Sequence, residues 1–300
     1  MNRREFIKKA GLISAGLSVT PITSWGRDNE RLVILHTNDW HSHIDPFSAN
    51  HKKYPSMGGA SRRATMIQEV RSKYKNVLLL DSGDIFQGTP YFNQYGGELE
   101  FKLMSEMGYD FATLGNHDFD GGIEGLHKQL PHANFQFLCA NYNFKNTLLD
   151  GKVNPYTIIK KGKFKVGIFG IGIQLDGLVP KNLYGNIIYQ NPVKKANQIA
   201  KKLKSEGCHL VICLSHLGYE YNSDKISDVL LAKNSKHIDL ILGGHTHTFM
   251  KSPQKIKNKT QENIFINQTG WAGLNLGRID YEYDSFGIVK LQNYSYEKIS

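Results

Sequence analysis

The 300-residue sequence contains only three cysteines, and it has no internal repeat and no low-complexity tract. Three cysteines cannot all pair with one another. Cys208 and Cys213 lie in one expected strand, where they would face opposite sides roughly 16 Å apart. We therefore expect no disulfide framework and interpret all three cysteines as small buried residues. The remaining pattern alternates strands and helices, which favours a single α/β domain over residues 27–300.

No apolar run has the length of an ordinary membrane-spanning helix, which is roughly 20 residues. Residues 1–9, MNRREFIKK, are charged and precede an apolar stretch at 10–19, an arrangement typical of a secretory leader. Arg3 and Arg4, followed by EFIK, resemble the twin-arginine motif. We therefore predict a twin-arginine signal peptide at 1–26 and export by the twin-arginine translocase to the periplasm or another extracytoplasmic site. A generic basic leader and an uncleaved anchor are the alternatives, because no clear Ala-x-Ala site precedes residue 27.

Negative charge is scarce, since 27 acidic residues against 37 basic residues give a formal net charge of +10. Residues 1–26 hold four basic residues and one acidic residue, so the rest of the chain carries +7. This excess suits a phosphorylated, anionic substrate, but it suits a nucleic acid or a membrane surface equally well. Charge alone does not choose among these partners.

Side chains of the metal-binding type follow five expected strands, at 31–36, 76–80, 109–114, 209–214 and 237–242. In chain order they are Asp39 and His41, then Asp84, then Asn116, His117 and Asp120, then His216, and finally His245 and His247. Each cluster alone is weak evidence, because Asp, Asn and Gly are common in turns and a lone histidine is usually structural. Together, the five clusters are too dense to result from a random placement of the twelve histidines in the sequence.

The segment 113–120, TLGNHDFD, is the most informative of these clusters. Gly115 is expected to turn the backbone sharply, so that Asn116 and His117 point into one pocket. The carboxylate of Asp120, three residues after His117, could then orient the imidazole. The segment therefore predicts a functional turn at the end of a strand.

Two further clusters place ligand-type side chains two residues apart. In extended backbone this spacing puts Asp39 and His41 on the same side, as two ligands of one cation require. His245 and His247 repeat the spacing behind two glycines. His43 has the same spacing from His41, but we expect it to lie further from the cation. A polar, basic connection at 251–263 is expected to be a surface loop.

The order of these motifs resembles the signature of the calcineurin-like metallophosphoesterases. The motifs are DWH at 39–41, GD at 83–84, GNHD at 115–118, SH at 215–216 and GHTH at 244–247. Longer motifs are similar to those of the bacterial 5′-nucleotidase branch. They are LHTND at 35–39, GDIFQGTPY at 83–91, NHDFD at 116–120 and QTGWAG at 268–273. The resemblance runs from about residue 31 to residue 294. It departs at Asp118, where that branch more often has glutamate, but this residue is not expected to be a ligand.

The resemblance implies a four-layer α/β/β/α sandwich that binds two divalent metal ions. It implies that one ion is held by Asp39, His41, Asp84 and His247, and the other by Asp84, Asn116, His216 and His245. Asp84 would bridge the two. Oxygen and imidazole ligands without thiolate suit Zn, Mn, Fe or Co. His117 and Asp120 would be the catalytic pair, and Asn116 and His117 would contact the substrate.

The implied function is hydrolysis of phosphomonoesters, 5′-nucleotides foremost, to an alcohol or nucleoside and phosphate. The alternatives are a 2′,3′-cyclic phosphodiesterase, a nucleotide-sugar pyrophosphatase, a sulfur-ester hydrolase, and a metal-stabilised binding subunit without turnover. The implied partner is a small phosphorylated substrate rather than a nucleic acid. Members of this branch usually continue into a second domain that stacks the nucleobase, and this sequence stops at Ser300. We therefore expect either a separate chain that supplies the second domain or broad acceptance of phosphoesters.

Overall fold

The computed structural model describes residues 29–300, and the predicted signal peptide at 1–26 lies outside these residues. The described strands are β1 (Glu30–Thr37), β2 (Val77–Asp81), β3 (Phe111–Ala112), β4 (Gln136–Phe137), β5 (Tyr142–Asn143), β6 (Tyr156–Lys161), β7 (Phe164–Ile171), β8 (Ile188–Tyr189), β9 (Leu210–Ser215), β10 (Leu240–Leu242), β11 (Gln254–Lys257), β12 (Asn263–Asn267), β13 (Asn275–Tyr283) and β14 (Val289–Lys298). The described α-helices are α1 (Ala60–Lys73), α2 (Pro90–Tyr95), α3 (Glu98–Met107), α4 (Gly122–Gln129), α5 (Lys181–Tyr184), α6 (Pro192–Ser205) and α7 (Asp228–Asn234). Short 3₁₀ helices occupy His117–Phe119 and Leu130–His132. Within residues 29–300, every helix is too short or too polar to cross a bilayer.

Twelve of these strands form two six-stranded sheets. The first sheet has the order β14-β13-β1-β2-β3-β4, and the second has the order β11-β12-β10-β9-β7-β6. The strands from β1 to β4 run parallel in the first sheet, as do β7, β9, β10 and β12 in the second. Antiparallel strands β13 and β14 continue the first sheet beyond β1, whereas β11 and β6 form the two antiparallel edges of the second sheet. The carboxyl ends of the parallel strands therefore lie together at one edge of each sheet.

Strand β1 shows why the fold has four layers. Leu32 and Ile34 pack with apolar residues of β7 and β9, in a core between the two sheets. Val33 and Leu35 point the other way and pack with side chains of α1 and α3. All four side chains are completely buried, as expected for a parallel strand that is covered on both faces.

The opposite outer layer is formed by α6 and α7, which cover the second sheet. Helix α6 begins with Pro192, and the side chain of Asn191 caps it by accepting a hydrogen bond from the backbone N–H of Lys194. Its buried residues recur at helical spacing and are Ala196, Ile199, Ala200 and Leu203. The layers are thus helices, sheet, sheet and helices, which confirms the predicted α/β/β/α sandwich.

Several expected elements are shorter in the structure. The strands predicted at 109–114 and 237–242 are reduced to β3 and β10. In the second case His237 has a φ of 68°, which strand backbone does not adopt. All three cysteines are buried and unpaired, which confirms their interpretation as core residues.

The prediction of an irregular loop at 251–263 is wrong in part, because this segment contains β11. The strand pairs antiparallel with β12, with Lys255 opposite Phe265. Its side chains are mostly exposed, so the alternation of apolar and polar residues that marks a half-buried strand is absent. Lysines are common on such edge strands, where they discourage pairing with other chains.

Candidate metal centre

The five predicted clusters all emerge at the same edge of the sandwich. In the first sheet, Thr37 at the end of β1 lies opposite Asp81 of β2, and Asp81 lies opposite Ala112 of β3. In the second sheet, Leu214 of β9 lies opposite Leu242 of β10. Because these strands end at the same level, the loops that follow them meet above the core.

Five of the predicted ligands adopt a backbone conformation that is unusual for residues other than glycine. The φ angles are 52° for Asp39, 50° for His41, 54° for Asp84, 72° for His245 and 51° for His247. The expectation that Asp39 and His41 use extended backbone is therefore wrong. Residues in this left-handed region are strained and concentrate at functional sites.

Backbone hydrogen bonds between loops stabilise these turns. The N–H of Asp39 donates to the carbonyl of Gly83 at 2.9 Å, and the N–H of His41 donates to the carbonyl of Asp84 at 3.1 Å. The N–H of His245 donates to the carboxylate of Asp39 at 2.9 Å. The side chains converge because neighbouring loops are tied to each other, rather than because of their spacing along a strand.

The first group of potential ligands consists of Asp39, His41 and His247, whose ligand atoms all lie within 4.8 Å of one another. The Nε2 atoms of the two imidazoles are 3.0 Å apart. The Oδ1 atom of Asp39 lies 3.4 Å from Nε2 of His247. The Nδ1 atom of His41 donates to the carbonyl of Gln87 at 3.1 Å, and burial lowers the pKa of this imidazole. Its Nε2 lone pair is therefore available to a metal ion.

The second group consists of Asp84, His216 and His245, whose ligand atoms also lie within 4.8 Å of one another. His216 is completely buried, and its Nδ1 donates to the carbonyl of Ser82 at 2.7 Å. The Nε2 atom lies 3.0 Å from Oδ2 of Asp84 but lacks hydrogen-bond geometry. Burial lowers the pKa of His245 to about 4, which keeps it neutral as a metal ligand must be.

Asp84 lies between the two groups. Its Oδ2 is 3.0 Å from Nε2 of His216 and 3.9 Å from Nε2 of His41. Burial alone would raise its pKa, but attraction to His216 and then to His41 and His117 lowers the pKa of Asp84 below its usual range. A buried, ionised carboxylate whose Oδ2 faces an imidazole of each group is placed to contact two neighbouring cations.

The residues present fit a pair of divalent metal ions. Besides Nε2 of His216, the buried Oδ1 atom of Asn116 has no hydrogen-bond partner among the described residues. Buried polar atoms are nearly always satisfied, so these atoms point to an ion or ligand. The donors are carboxylate, amide and imidazole, which suit Zn, Mn, Fe or Co.

Glycines allow the loops after β2 and β3 to touch. A Cβ atom on Gly115 would overlap the carboxylate and backbone nitrogen of Asp84, and a Cβ on Gly83 would lie 2.5 Å from the nitrogen of Gly115. Gly115 does not have a positive φ, unlike Gly83. Position 115 therefore requires glycine because two loops approach each other closely there. The sharp turn predicted at Gly115 does not explain the requirement.

His117 and Asp120 form the predicted pair beside the first group. Nδ1 of His117 lies 2.8 Å from Oδ2 of Asp120, and this hydrogen bond is the main cause of the raised pKa of His117. The two imidazole centroids of His117 and His41 are 5.3 Å apart. The side chain of His117 is 37% exposed, so it can reach both the metal groups and an incoming substrate.

Asp118 has a structural role that the sequence did not reveal. Its side chain is buried and accepts hydrogen bonds from four backbone N–H groups. The donors are Gly115 at 2.7 Å, Ile85 at 2.9 Å, Asp84 at 3.0 Å and Phe86 at 3.3 Å. One carboxylate thus joins the loop of Asp84 to the loop of Asn116.

Replacing Asp118 by Asn is expected to lower the free energy of unfolding by about 2–4 kcal/mol, because an amide accepts with one oxygen only and turns its NH₂ group toward backbone donors. Urea unfolding with metal analysis measures this. Asp150→Asn, which changes an exposed carboxylate, is the control. An unfolding midpoint for Asp118→Asn equal to that of the control would contradict the role.

A band of aromatic rings borders the centre, and sequence reasoning did not find it. We call it the aromatic rim, and it consists of His43, Phe47, His51, Tyr54, Phe249 and Trp271. His43 joins neither metal group; its ring stacks on Phe47 with centroids 4.9 Å apart, and burial lowers its pKa to about 4. These residues come from three distant segments, so no local motif could reveal the band.

Two packed sheets with paired groups of carboxylates and imidazoles above their edge define a class of two-metal hydrolases. The chain belongs to the calcineurin-like phosphoesterase family, whose model matches residues 32–249. This finding confirms the resemblance that the motifs indicated, and with it the expectation of two divalent metal ions.

The relatives of this chain include several 5′-nucleotidases. It is 38% identical over 226 residues to the snake venom 5′-nucleotidase of Crotalus adamanteus, a match that covers 73% of this chain and 37% of that protein. It is 30% identical to the solved 5′-nucleotidase precursor of Thermus thermophilus, with a TM-score of 0.79 over 90% of this chain and 54% of that one. The calcineurin-like phosphoesterase YfkN of Bacillus subtilis is 27% identical, with a TM-score of 0.71 over 91% of both chains. The chain thus spans about half or less of its 5′-nucleotidase relatives.

Proposed function

We propose that this protein hydrolyses phosphomonoesters, 5′-nucleotides foremost, to an alcohol or nucleoside and phosphate. The observation that carries this proposal is the position of Asp84 between two groups of ligands, with His117 and Asp120 at their side. The similarity to proteins named 5′-nucleotidase supports the choice of substrate class.

In the proposed centre, four side chains would hold each metal ion. One ion would be held by Asp39, His41, Asp84 and His247, and the other by Asp84, Asn116, His216 and His245. The free Oδ1 of Asn116 supports its inclusion. Two bound cations supply a water of lowered pKa for attack on phosphorus and neutralise charge on the phosphoryl oxygens.

The residues beside the metal groups would position the substrate and move a proton. Asn116 and His117 would contact the phosphate, since they are adjacent in the turn beside the two groups of ligands and the side chain of His117 is 37% exposed. The Nδ1 atom of His117 donates to Asp120, which keeps the ring oriented and favours its protonated form. Nε2 of His117 can then donate a proton to the leaving oxygen or stabilise its negative charge.

The first test is phosphate release from AMP and from a chromogenic aryl phosphate by protein reconstituted with Zn, Mn, Fe or Co. We expect metal-dependent turnover in the usual enzymatic range of about 1 to 10³ per second. Protein treated with a chelator is the control. A panel with a 2′,3′-cyclic nucleotide, a nucleotide sugar and a sulfur ester separates the alternatives. Failure to release phosphate from any phosphoester would end the proposal.

We also propose export by the twin-arginine route, on the basis of the sequence at 1–26. Changing both Arg3 and Arg4 to Lys is expected to abolish export, because the translocase reads the paired guanidinium groups. Cell fractionation in a bacterium with this translocase measures the exported share. The matched control changes Lys8 and Lys9 to Arg, which keeps the charge of the leader. Unchanged export of the Arg3 and Arg4 variant would indicate a general secretory leader instead.

A further inference from the structure

The aromatic rim begins at a metal ligand and extends toward solvent. The ring of Trp271 lies parallel to the ring of His247, at an angle of 3° with centroids 5.4 Å apart. Phe47 follows, 6.1 Å from Trp271 and 5.6 Å from Tyr54. Tyr54 is 6.2 Å from Phe249 and nearly parallel to it, at 27°. The result is a continuous aromatic surface from the metal centre outward.

The outermost ring of this surface is poorly covered. Phe249 is 39% exposed, whereas Trp40 and Phe86, which serve the core beside the same loops, are each 1% exposed. Leaving a large apolar ring in water forgoes the stability that its burial would give, and contiguous exposed apolar surface often marks a binding site.

The rim is fixed to the metal-binding loops by hydrogen bonds. The N–H of Ala272 donates to the carbonyl of Asp39 at 2.7 Å. The side chain of Asn38 donates to the carbonyl of Gly270 at 2.6 Å and accepts from the N–H of Thr269 at 2.8 Å. A ring on this loop therefore keeps a constant distance to the metal ligands, so binding to it costs little ordering entropy.

Two further features hold the outer rings in place. Gly270 has a φ of 87°, and a Cβ atom there would overlap the ring of Phe249, so the glycine makes room for it. The segment that carries Phe47 and Tyr54 is closed by a hydrogen bond of 2.8 Å from the N–H of Phe47 to the carbonyl of Met57. The rim is thus preformed on both sides.

The charge around the rim suits an anion that carries an aromatic group. The Nζ atom of Lys53 lies 5.2 Å from the centre of the Tyr54 ring. Lys52 and Lys251 are exposed on the same two segments. Proteins bind single-stranded nucleic acids with the same combination: bases stack on aromatic rings, and basic side chains attract the phosphates.

We infer that the aromatic rim stacks the nucleobase of a nucleotide whose phosphate lies at the metal centre, with Phe249 and Tyr54 as the outer platform. This inference rests on the proposed function and deepens it, because it places base recognition within this chain. It differs from both expectations drawn from the sequence, a separate chain that supplies the second domain and broad acceptance of phosphoesters.

The test compares kcat/KM for AMP and for ribose 5-phosphate, which lacks the base. Phe249→Leu keeps an apolar side chain over Gly270 but removes the ring. Stacking on one aromatic ring is a sizeable part of the affinity for a base. The ratio of kcat/KM for AMP to kcat/KM for ribose 5-phosphate is therefore expected to fall about tenfold. Phe249→Tyr should retain the ratio. The matched control is Phe286→Leu, which removes an 87% exposed ring on the turn between β13 and β14.

Saturation-transfer NMR with adenosine provides a readout that needs no turnover. A signal for adenosine that is lost in Phe249→Leu and kept in Phe286→Leu supports the inference, even if no phosphoester were hydrolysed. If both substrates slowed equally in Phe249→Leu, the ring would only support the loop of His247, and the inference would fail while the proposed function stood. An unmodified protein that shows no preference for AMP would favour a separate base-binding chain and would also overturn the inference.

Discussion

Asp84→Asn is expected to abolish hydrolysis, with a loss in kcat/KM of more than about 10⁴-fold. Losing a general acid alone costs roughly 10²–10⁴-fold, and this change removes more than an acid. It takes the negative charge from a buried carboxylate that lies 3.0 Å from His216 and 3.9 Å from His41. The amide also places N–H donors where metal ligands need acceptors.

Metal analysis of purified Asp84→Asn shows whether the loss has this cause. We expect fewer than two equivalents of metal, because both ions lose a ligand and the charge that attracts them. The comparison is His247→Gln, which changes a partly exposed side chain of the first group only and should lower occupancy of one ion. Two full equivalents bound to Asp84→Asn would refute the bridging position of this carboxylate.

The sequence predicted which residues lie at the strand ends, because a strand end is marked by a local pattern. An apolar run followed by Asp84, or by Ser215 and His216, shows both the buried strand and the point where it leaves the core. Parallel strands that end at one edge then bring such residues together, whatever the details of the loops. For this reason the fold class was predicted from the sequence and confirmed, and the predicted ligands that carry carboxylates or imidazoles lie together in two groups.

The sequence did not predict how the loops achieve this convergence, because the relevant contacts join distant segments. The left-handed backbone of Asp39 and His41 depends on hydrogen bonds to the loop after β2. The need for glycine at position 115 depends on contact with Asp84, which lies 31 residues earlier in the chain. The aromatic rim combines Tyr54, Phe249 and Trp271 from three segments. Spacing along the chain carries no information about such contacts.

The second large effect is expected for His117→Asn, which should slow turnover by roughly 10²–10⁴-fold, the range typical of a lost general acid. His117 is 37% exposed and belongs to neither group of ligands. Its backbone N–H donates to Oδ1 of Asp84 at 2.8 Å, a contact that Asn keeps. Both metal ions should therefore remain bound while turnover falls. Loss of metal together with activity would instead identify His117 as a ligand.

A double-mutant cycle with Asp120→Asn tests whether the two residues act as one unit. Asp120 lies 2.8 Å from Nδ1 of His117 and raises its pKa, so it should act on the reaction only through the imidazole. Asp120→Asn alone is expected to slow turnover less than His117→Asn does, and it should add no further loss once His117 is replaced. Such non-additivity is the signature of directly coupled residues. If the two losses multiplied instead, Asp120 would contribute independently of the imidazole, and the proton-transfer role of the pair would have to be abandoned.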